Sequence, residues 1–187
     1  MEFGKWKINV SESYPQKVAT ALGQVEGGML GADYEGVLYL GSQLVSGINH
    51  AVLAEQTILD GRDTHNAVIL IFNERPGYGG AAWVGTERLL EDGAPLGGMK
   101  VQVTTEIPAD VQETWDNAFE TYDGGDVKPI AYLGNQLVNG EIYVLLGVIN
   151  GKRLVLVTID AHDGVVWFDD PLKTAHERSV SYAHTYY

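Results

Sequence analysis

The sequence predicts an α+β fold in which one small unit, an antiparallel sheet against a single helix, occurs twice. A nine-residue segment, 39–47, returns at 132–140 with seven of nine residues identical. In both copies a helical pattern of apolar residues follows one short strand pattern, and several strand patterns separated by turn signals come after it. A helix and an antiparallel sheet each have an apolar face, and we expect each unit to bury these two faces against each other.

The repeat extends through nearly the whole chain of 187 residues. At the same offset of 93 residues Pro15 aligns with Pro108, and the segment 80–83 matches 164–167 once a shorter loop is allowed in the second copy. Two copies can be two autonomous domains, two halves of one sheet, or the start of a solenoid. A unit of this length is longer than a solenoid repeat and long enough to hold its own core.

We therefore predict two domains, 1–92 and 93–187. The join is expected at 91–95, where acidic residues, Gly and Pro interrupt both hydrophobic periodicities.

The elements are predicted in the same order in both copies, β-α-β-β-β-β. Alternating residues at 6–10 and 99–103 predict the first strands. Pro15 and Pro108 suit the first turn of a helix, and Ser13 suits a cap in the first copy. The helical apolar positions are Val18, Leu22, Val25 and Met29 in the first copy, and Val111, Trp115, Ala118 and Tyr122 in the second. The later strands are predicted at 37–45, 48–58, 67–72 and around Trp83, and at 130–138, 142–150, 154–159 and around Trp167.

Composition limits the classes of partner. The formal charge is −13, from 25 acidic and 12 basic residues, and no basic cluster suits phosphate binding, so nucleic acid is not an expected partner. The absence of cysteine suits a reducing compartment. Residues 1–20 lack a signal-peptide pattern, and the apolar run at 142–149 is too short to span a bilayer. We expect a soluble protein, cytoplasmic rather than secreted, that is not bound to membranes.

Motifs for catalysis or cofactor binding are not found. The five histidines show no metal-ligand spacing, and most are expected on the surface or in loops. The Gly-rich segment 77–80 lacks the Lys and helix of a phosphate loop. We expect no cofactor and no metal. The aromatic residues Trp83, Trp115 and Trp167 are interpreted as core residues.

The pattern Gln-x-Val-x-Gly occurs at 43–47 and again at 136–140, each time at a predicted tight turn between two strands. With the strand order above, this resembles the cystatins, protein inhibitors of papain-like cysteine proteases, which have such a hairpin between their second and third strands. The segment 48–52 resembles the run that follows this glycine, with His50 where a tyrosine is more usual. In the second copy Glu141 and Ile142 follow the glycine, and Tyr143 after them is an aromatic residue as in the cystatin run.

The resemblance implies inhibition by occlusion, in which a glycine of the N-terminal segment, the first hairpin and a second hairpin together plug the protease cleft. The usual Pro-Trp pair of the second hairpin is absent; the corresponding loops are 74–78 in the first copy and the acidic 160–164 in the second. The residues so assigned to protease binding are Gly4, Gln43, Leu44, Val45, Ser46, Gly47, Pro76 and Tyr78 in the first copy, and Gly97, Gln136, Leu137, Val138, Asn139 and Gly140 in the second. The first copy is the better candidate.

Two alternatives stay open. One is a non-inhibitory assembly or ligand-binding module, and such hairpins can exchange between chains to give a domain-swapped homodimer. The other is an enzyme, which would need a deep pocket with a His or carboxylate of perturbed pKa against the helix. Because the helix faces are predicted to be apolar, we expect no enzyme. Inhibition requires Gly47 or Gly140 at an exposed edge beside a second loop, whereas assembly predicts that this hairpin is buried against the other copy or another chain.

Overall fold

The computed structural model describes residues 4–26, 31–62, 64–93, 98–138 and 140–172, with the side chain of Val138 left out. The first half contains β1 (Trp6–Ser11), α1 (Gln16–Glu26), β2 (Ala32–Val45), β3 (Gly47–Ile58), β4 (Thr64–Glu74) and β5 (Ala81–Glu91). The second half contains β6 (Met99–Thr104), α2 (Ala109–Phe119), β7 (Val127–Val138), β8 (Gly140–Ile149), β9 (Arg153–Asp160) and β10 (Val166–Asp169).

Each half forms its own antiparallel sheet of five strands in the described residues. The strand orders are β1-β2-β3-β4-β5 and β10-β9-β8-β7-β6. Neighbouring strands follow one another along the chain except that a helix separates the first strand of each sheet from the second. The predicted α+β class is therefore confirmed.

One helix covers one face of each sheet. In α1 the buried residues are Val18, Ala21, Leu22 and Val25, and in α2 they are Val111 and Trp115. The two prolines lie one residue earlier than predicted, because α1 begins at Gln16 and Pro108 is the N-cap of α2. Tyr122 lies beyond the end of α2, where it is 37% exposed, and Met29 falls outside the described residues.

The opposite faces of the two sheets pack against each other. Alternation along the strands separates the faces: Val52 packs with the α1 side, whereas Ala51 and Leu53 join a core cluster that also contains Leu133 and Leu146 of the second half. The layers are therefore helix, sheet, sheet and helix. The division into domains 1–92 and 93–187 stays a prediction, and the two halves share this central core.

Two of the three tryptophans that were interpreted as core residues are partly exposed. Trp115 is 2% exposed, as expected of a core residue, but Trp83 is 37% and Trp167 44% exposed. Both exposed residues lie on the edge strands β5 and β10. A side chain on an edge strand has a neighbouring strand on one side only, so its other side remains in solvent. Aromatic size alone predicts a core position for all three and cannot separate edge strands from central ones.

Candidate binding edge

Three predicted binding segments lie at one end of the first sheet. Ile48, just after the β2–β3 turn, pairs with Glu74, and Glu74 pairs with Ala81 across the loop 75–80. The N–H of Gly4 donates a 2.8 Å hydrogen bond to the carbonyl of Leu44. We call Gly4, the segment 43–47 and the loop 75–80 the first loop edge.

The tip of the β2–β3 hairpin is held against β4. Gly47 has φ +109°, and a Cβ there would lie 2.5 Å from the carbonyl oxygen of Glu74 and 3.2 Å from the Oδ1 of Asn73. The position therefore requires glycine both for its backbone angle and for space. Ser46 is exposed beside it, and Gln43, Leu44 and Val45 are half-buried.

The loop 75–80 is exposed along its whole length. Tyr78 is 70% exposed, and its N–H donates to the carbonyl of Arg75 at 3.3 Å in a turn that also contains Pro76. An exposed aromatic side chain thus lies in the loop at the same end of the sheet as the hairpin tip. The inhibition hypothesis requires an exposed edge beside a second loop in the first copy, whereas the assembly alternative requires the hairpin to be buried against the other copy or another chain.

Side-chain amides connect these segments. The Nε2 of Gln43 donates to the carbonyl of Gly4 at 2.8 Å, and the Nδ2 of Asn49 donates to the Oε1 of Gln43 at 3.0 Å. The Nδ2 of Asn73 donates to the Oδ1 of Asn49 at 2.7 Å, and the Nε of Arg75 donates to the Oδ1 of Asn73 at 3.2 Å. Sequence reasoning missed Asn49 and Asn73; Asn49 lies within the predicted strand 48–58, and Asn73 directly follows the predicted strand 67–72.

A buried histidine lies on the helix-facing side of the same end. The Nδ1 of His50 is 3.0 Å from the hydroxyl of Tyr39, and its Nε2 is 3.5 Å from the Oε2 of Glu74. The Nζ of Lys17, on α1, is 2.6 Å from the Oε1 of Glu74. His50 is 6% exposed and is therefore an exception among the histidines, most of which are expected on the surface or in loops.

The charges of this cluster follow from burial and pairing. Desolvation lowers the pKa of His50, and the neighbouring Glu74 carboxylate opposes that shift. The hydrogen bond from Lys17 is the main cause that lowers the pKa of Glu74. The imidazole is therefore neutral and the carboxylate ionised at pH 7. The enzyme hypothesis asked for such a perturbed group in a pocket, but the low exposure of His50 leaves little surface for a substrate.

The corresponding end of the second sheet is built differently. Leu137 is 70% exposed, Gln136 is half-buried, and a Cβ on Gly140 would lie 3.0 Å from the Cβ of His162. Val138 ends β7, while Gly97 and Asn139 fall outside the described residues. The β9–β10 loop is closed locally, because Gly164 donates to the carbonyl of Asp160 at 2.9 Å.

Beneath this second hairpin, Glu141 forms hydrogen bonds with two side chains. Its carboxylate accepts hydrogen bonds from the Tyr143 hydroxyl at 2.8 Å and from the Nδ2 of Asn135 at 2.7 Å. Burial, with a smaller effect of Glu141, raises the pKa of Tyr132 to about 12, and the same causes raise that of Tyr143. Both tyrosines are neutral hydroxyl groups at pH 7.

The two ends also differ in the sign of their charges. The first loop edge has Lys5 next to Gly4 and Arg75 in its second loop. The end of the second sheet has Glu141, Asp160 and Asp163. The carboxylate beside the first loop edge, Glu74, is paired with Lys17. In a chain of net charge −13, the two cations Lys5 and Arg75 therefore make the edge locally basic, which favours a partner with an acidic surface.

Comparison with protein-family models, curated proteins and solved structures gave no match. Within the described ranges, no helix is long and apolar enough to cross a membrane. Within the same ranges, no group of three or more His, Cys, Asp or Glu side chains is placed to hold a metal ion.

Proposed function

We propose that this chain is a tandem cystatin-like binding protein that inhibits a papain-like cysteine protease by inserting the first loop edge into the active-site cleft. The observation that carries the proposal is the meeting of Gly4, the β2–β3 hairpin tip and the loop 75–80 at one end of one sheet. These are the three segments named by the Gln-x-Val-x-Gly resemblance. No covalent step is involved, so the chain acts as an inhibitor and not as an enzyme.

The first loop edge has the physical properties that occlusion requires. Its hairpin tip is fixed on β4 by the close approach of Gly47 to Glu74, so docking costs little conformational entropy. Tyr78, at 70% exposure, offers a large aromatic surface, and aromatic side chains often contribute most of the binding energy at interfaces. Ser46 at the tip is exposed and small enough for a narrow cleft.

The test is inhibition of papain and of a panel of related proteases by the purified chain. The variant Ser46→Arg places a bulky side chain at the exposed tip without touching Gly47, and Tyr78→Ala removes the exposed aromatic. Each should weaken inhibition at least about 30-fold, the effect of losing a contact worth about 2 kcal/mol. The matched control, Leu59→Arg, places the same side chain at an exposed position in the turn at the opposite end of the first sheet and should leave inhibition unchanged.

Two results would contradict the proposal. One is no inhibition by the intact chain at about 10 µM, a concentration at which even a micromolar complex is largely formed. The other is inhibition that survives both Ser46→Arg and Tyr78→Ala. Circular dichroism and thermal unfolding of each variant establish that it is folded, so a loss of inhibition reports on the edge itself.

A second candidate, an assembly module, is favoured by exposed apolar groups in the second half. Trp167 and Phe168 of edge strand β10 are 44% and 39% exposed, and Leu137 is 70% exposed. The ring of Phe168 also packs 5.9 Å from that of Phe119. Light scattering after size exclusion distinguishes the two candidates. A chain that is still monomeric at about 100 µM contradicts self-assembly, because any dimer would then have a Kd above that concentration.

A further inference from the structure

We infer that Asn49 and Asn73 are positioning residues, which form a hydrogen-bonded amide chain that fixes the three segments of the first loop edge relative to one another. This inference rests on the proposed function for its consequence, but the rigidity that it predicts can be measured without any protease. The chain runs from Arg75 through Asn73, Asn49 and Gln43 to the carbonyl of Gly4.

The chain has one direction and uses both ends of every amide. Each of Gln43, Asn49 and Asn73 donates through its nitrogen toward Gly4 and accepts at its oxygen from the side of Arg75. Hydrogen bonds in such a series polarise one another, and the low dielectric of a half-buried site strengthens the three bonds among Gln43, Asn49, Asn73 and Arg75. Replacing one amide therefore leaves its neighbours without a donor or an acceptor, which costs more than one lost hydrogen bond.

Its members are fixed by the sheet from which they project. Gln43, Asn49 and Asn73 are direct register partners across β2, β3 and β4, so their side chains lie in a row on one face. Asn73 is 8% exposed. It also lies beneath the hairpin tip, since a Cβ on Gly47 would be 3.2 Å from its Oδ1. One side chain thus lies close to the tip of the first hairpin and accepts a hydrogen bond from Arg75 at the start of the second loop.

In the described part of the second copy an apolar residue interrupts the corresponding row. At the offset of 93 residues Gln43 corresponds to Gln136, but Asn49 corresponds to Ile142. The register partner of Ile142 on the next strand is Asp160, whose Oδ1 accepts instead from the N–H of His162 at 2.9 Å. An apolar side chain in the middle interrupts the row. The amide chain therefore distinguishes the copy that we propose to be inhibitory from its relative on the same chain.

The opposite end of the first sheet provides a matched control. There the Nδ2 of Asn66 donates to the Oε1 of Gln56 at 2.9 Å, and the Nε2 of Gln56 donates to the Tyr34 hydroxyl at 2.8 Å. Gln56 is 8% exposed. This second amide chain is buried in the same sheet but connects no segment of the first loop edge. Its loss lowers the stability of the sheet without loosening that edge.

The experiment compares Asn49→Ile, which introduces the residue of the second copy, with Gln56→Leu. NMR hydrogen exchange is measured at the Gly4 amide and at the Arg75 Nε–H. We expect Asn49→Ile to accelerate exchange at both sites by about tenfold or more, while Gln56→Leu leaves both unchanged despite a comparable fall in thermal stability. Unchanged exchange in Asn49→Ile, or equal acceleration in both variants, overturns the inference.

Inhibition kinetics provide a second readout. Rigid segments slow dissociation more than they speed association, so Asn49→Ile should raise the dissociation rate constant about tenfold and change the association rate constant little. Gln56→Leu should change neither. If the intact chain inhibits no protease, the proposed function fails while the exchange result still decides the inference. If the chain inhibits and Asn49→Ile dissociates at the original rate, the positioning role is wrong.

Discussion

The carboxylate of Glu55 on β3 accepts a 3.0 Å hydrogen bond from the backbone N–H of Val103 on β6. This bond joins a side chain of the first sheet to the backbone of the second. Val103 lies where the pairing of β6 with β7 shifts register, between Val101 and Thr104. The other oxygen of Glu55 is 2.9 Å from the Nδ1 of His65. A polar contact therefore joins the two sheets beside their shared apolar core.

Loss of the Glu55 acceptor should destabilise the joint between the sheets. Glu55→Leu leaves the N–H of Val103 without this partner, so we expect the free energy of unfolding to fall by about 1–3 kcal/mol. Glu55→Gln keeps an acceptor oxygen and should cost less. Urea denaturation at pH 7 measures both. If both substitutions lowered the free energy of unfolding equally, the hydrogen bond to Val103 would not be the contribution of Glu55 to stability.

The shared core should couple the stability of the two halves. Leu133 is fully buried in the cluster between the sheets, and Leu133→Ala is expected to cost about 2–5 kcal/mol through lost burial and a residual cavity. Because Leu40 and Leu53 of the first half lie in the same cluster, hydrogen exchange should accelerate in β2 and β3 as well as in β7 and β8. Val157→Ala, on the α2-facing side, is the control. Acceleration confined to the second half in Leu133→Ala would indicate independent folding units.

Acidification should weaken the fold through His50. Burial holds its native pKa below the ordinary 6.5, so the unfolded chain binds a proton that the native state resists. The stability from neutral His50 is therefore complete above pH 6.5 and is lost as pH falls from there toward the native pKa. Glu74, whose native pKa is below 4.5, adds a second loss at still lower pH.

The variant His50→Asn isolates this titration. Its side-chain amide can either accept from or donate to the Tyr39 hydroxyl, as the Nδ1 of His50 does in one tautomer or the other, and it has no proton to gain in this range. The free energy of unfolding, measured by urea denaturation at pH 7.5 and 5.5, should fall by less in the variant than in the original chain. Equal falls would assign the acid sensitivity to other groups.

The tryptophans should differ sharply in their contribution to stability. Trp115, which packs against the second sheet, is 2% exposed, so Trp115→Ala should lower the free energy of unfolding by about 3–5 kcal/mol. Trp167→Ala removes a side chain that is 44% exposed on an edge strand and should cost about 1 kcal/mol. Thermal or urea unfolding of the two variants compares them. Similar losses would place Trp167 in the core after all.

The sequence by itself determined the duplication, the α+β class and the order of strands and helices, because these follow from local signals. Turn residues, a period near 3.6 and alternation depend on near neighbours in the chain. The strands at 6–10 and 48–58 were accordingly predicted to within one residue, whereas β5 extends to Glu91, well beyond the predicted short strand around Trp83.

Tertiary structure alone decided which faces and edges those elements present. Alternation shows that Leu53 and Val52 point to opposite faces, but both are apolar, and only the packing of a second sheet explains why both faces are buried. The meeting of Gly4 with Leu44, the row of amides at Asn49 and Asn73, and the burial of His50 depend on strand register. Within the β2–β3 hairpin the turn fixes the register that pairs Gln43 with Asn49. The pairing of β1 with β2 and the packing of α1 over His50 join segments that are farther apart in the chain, and no local pattern specifies those contacts.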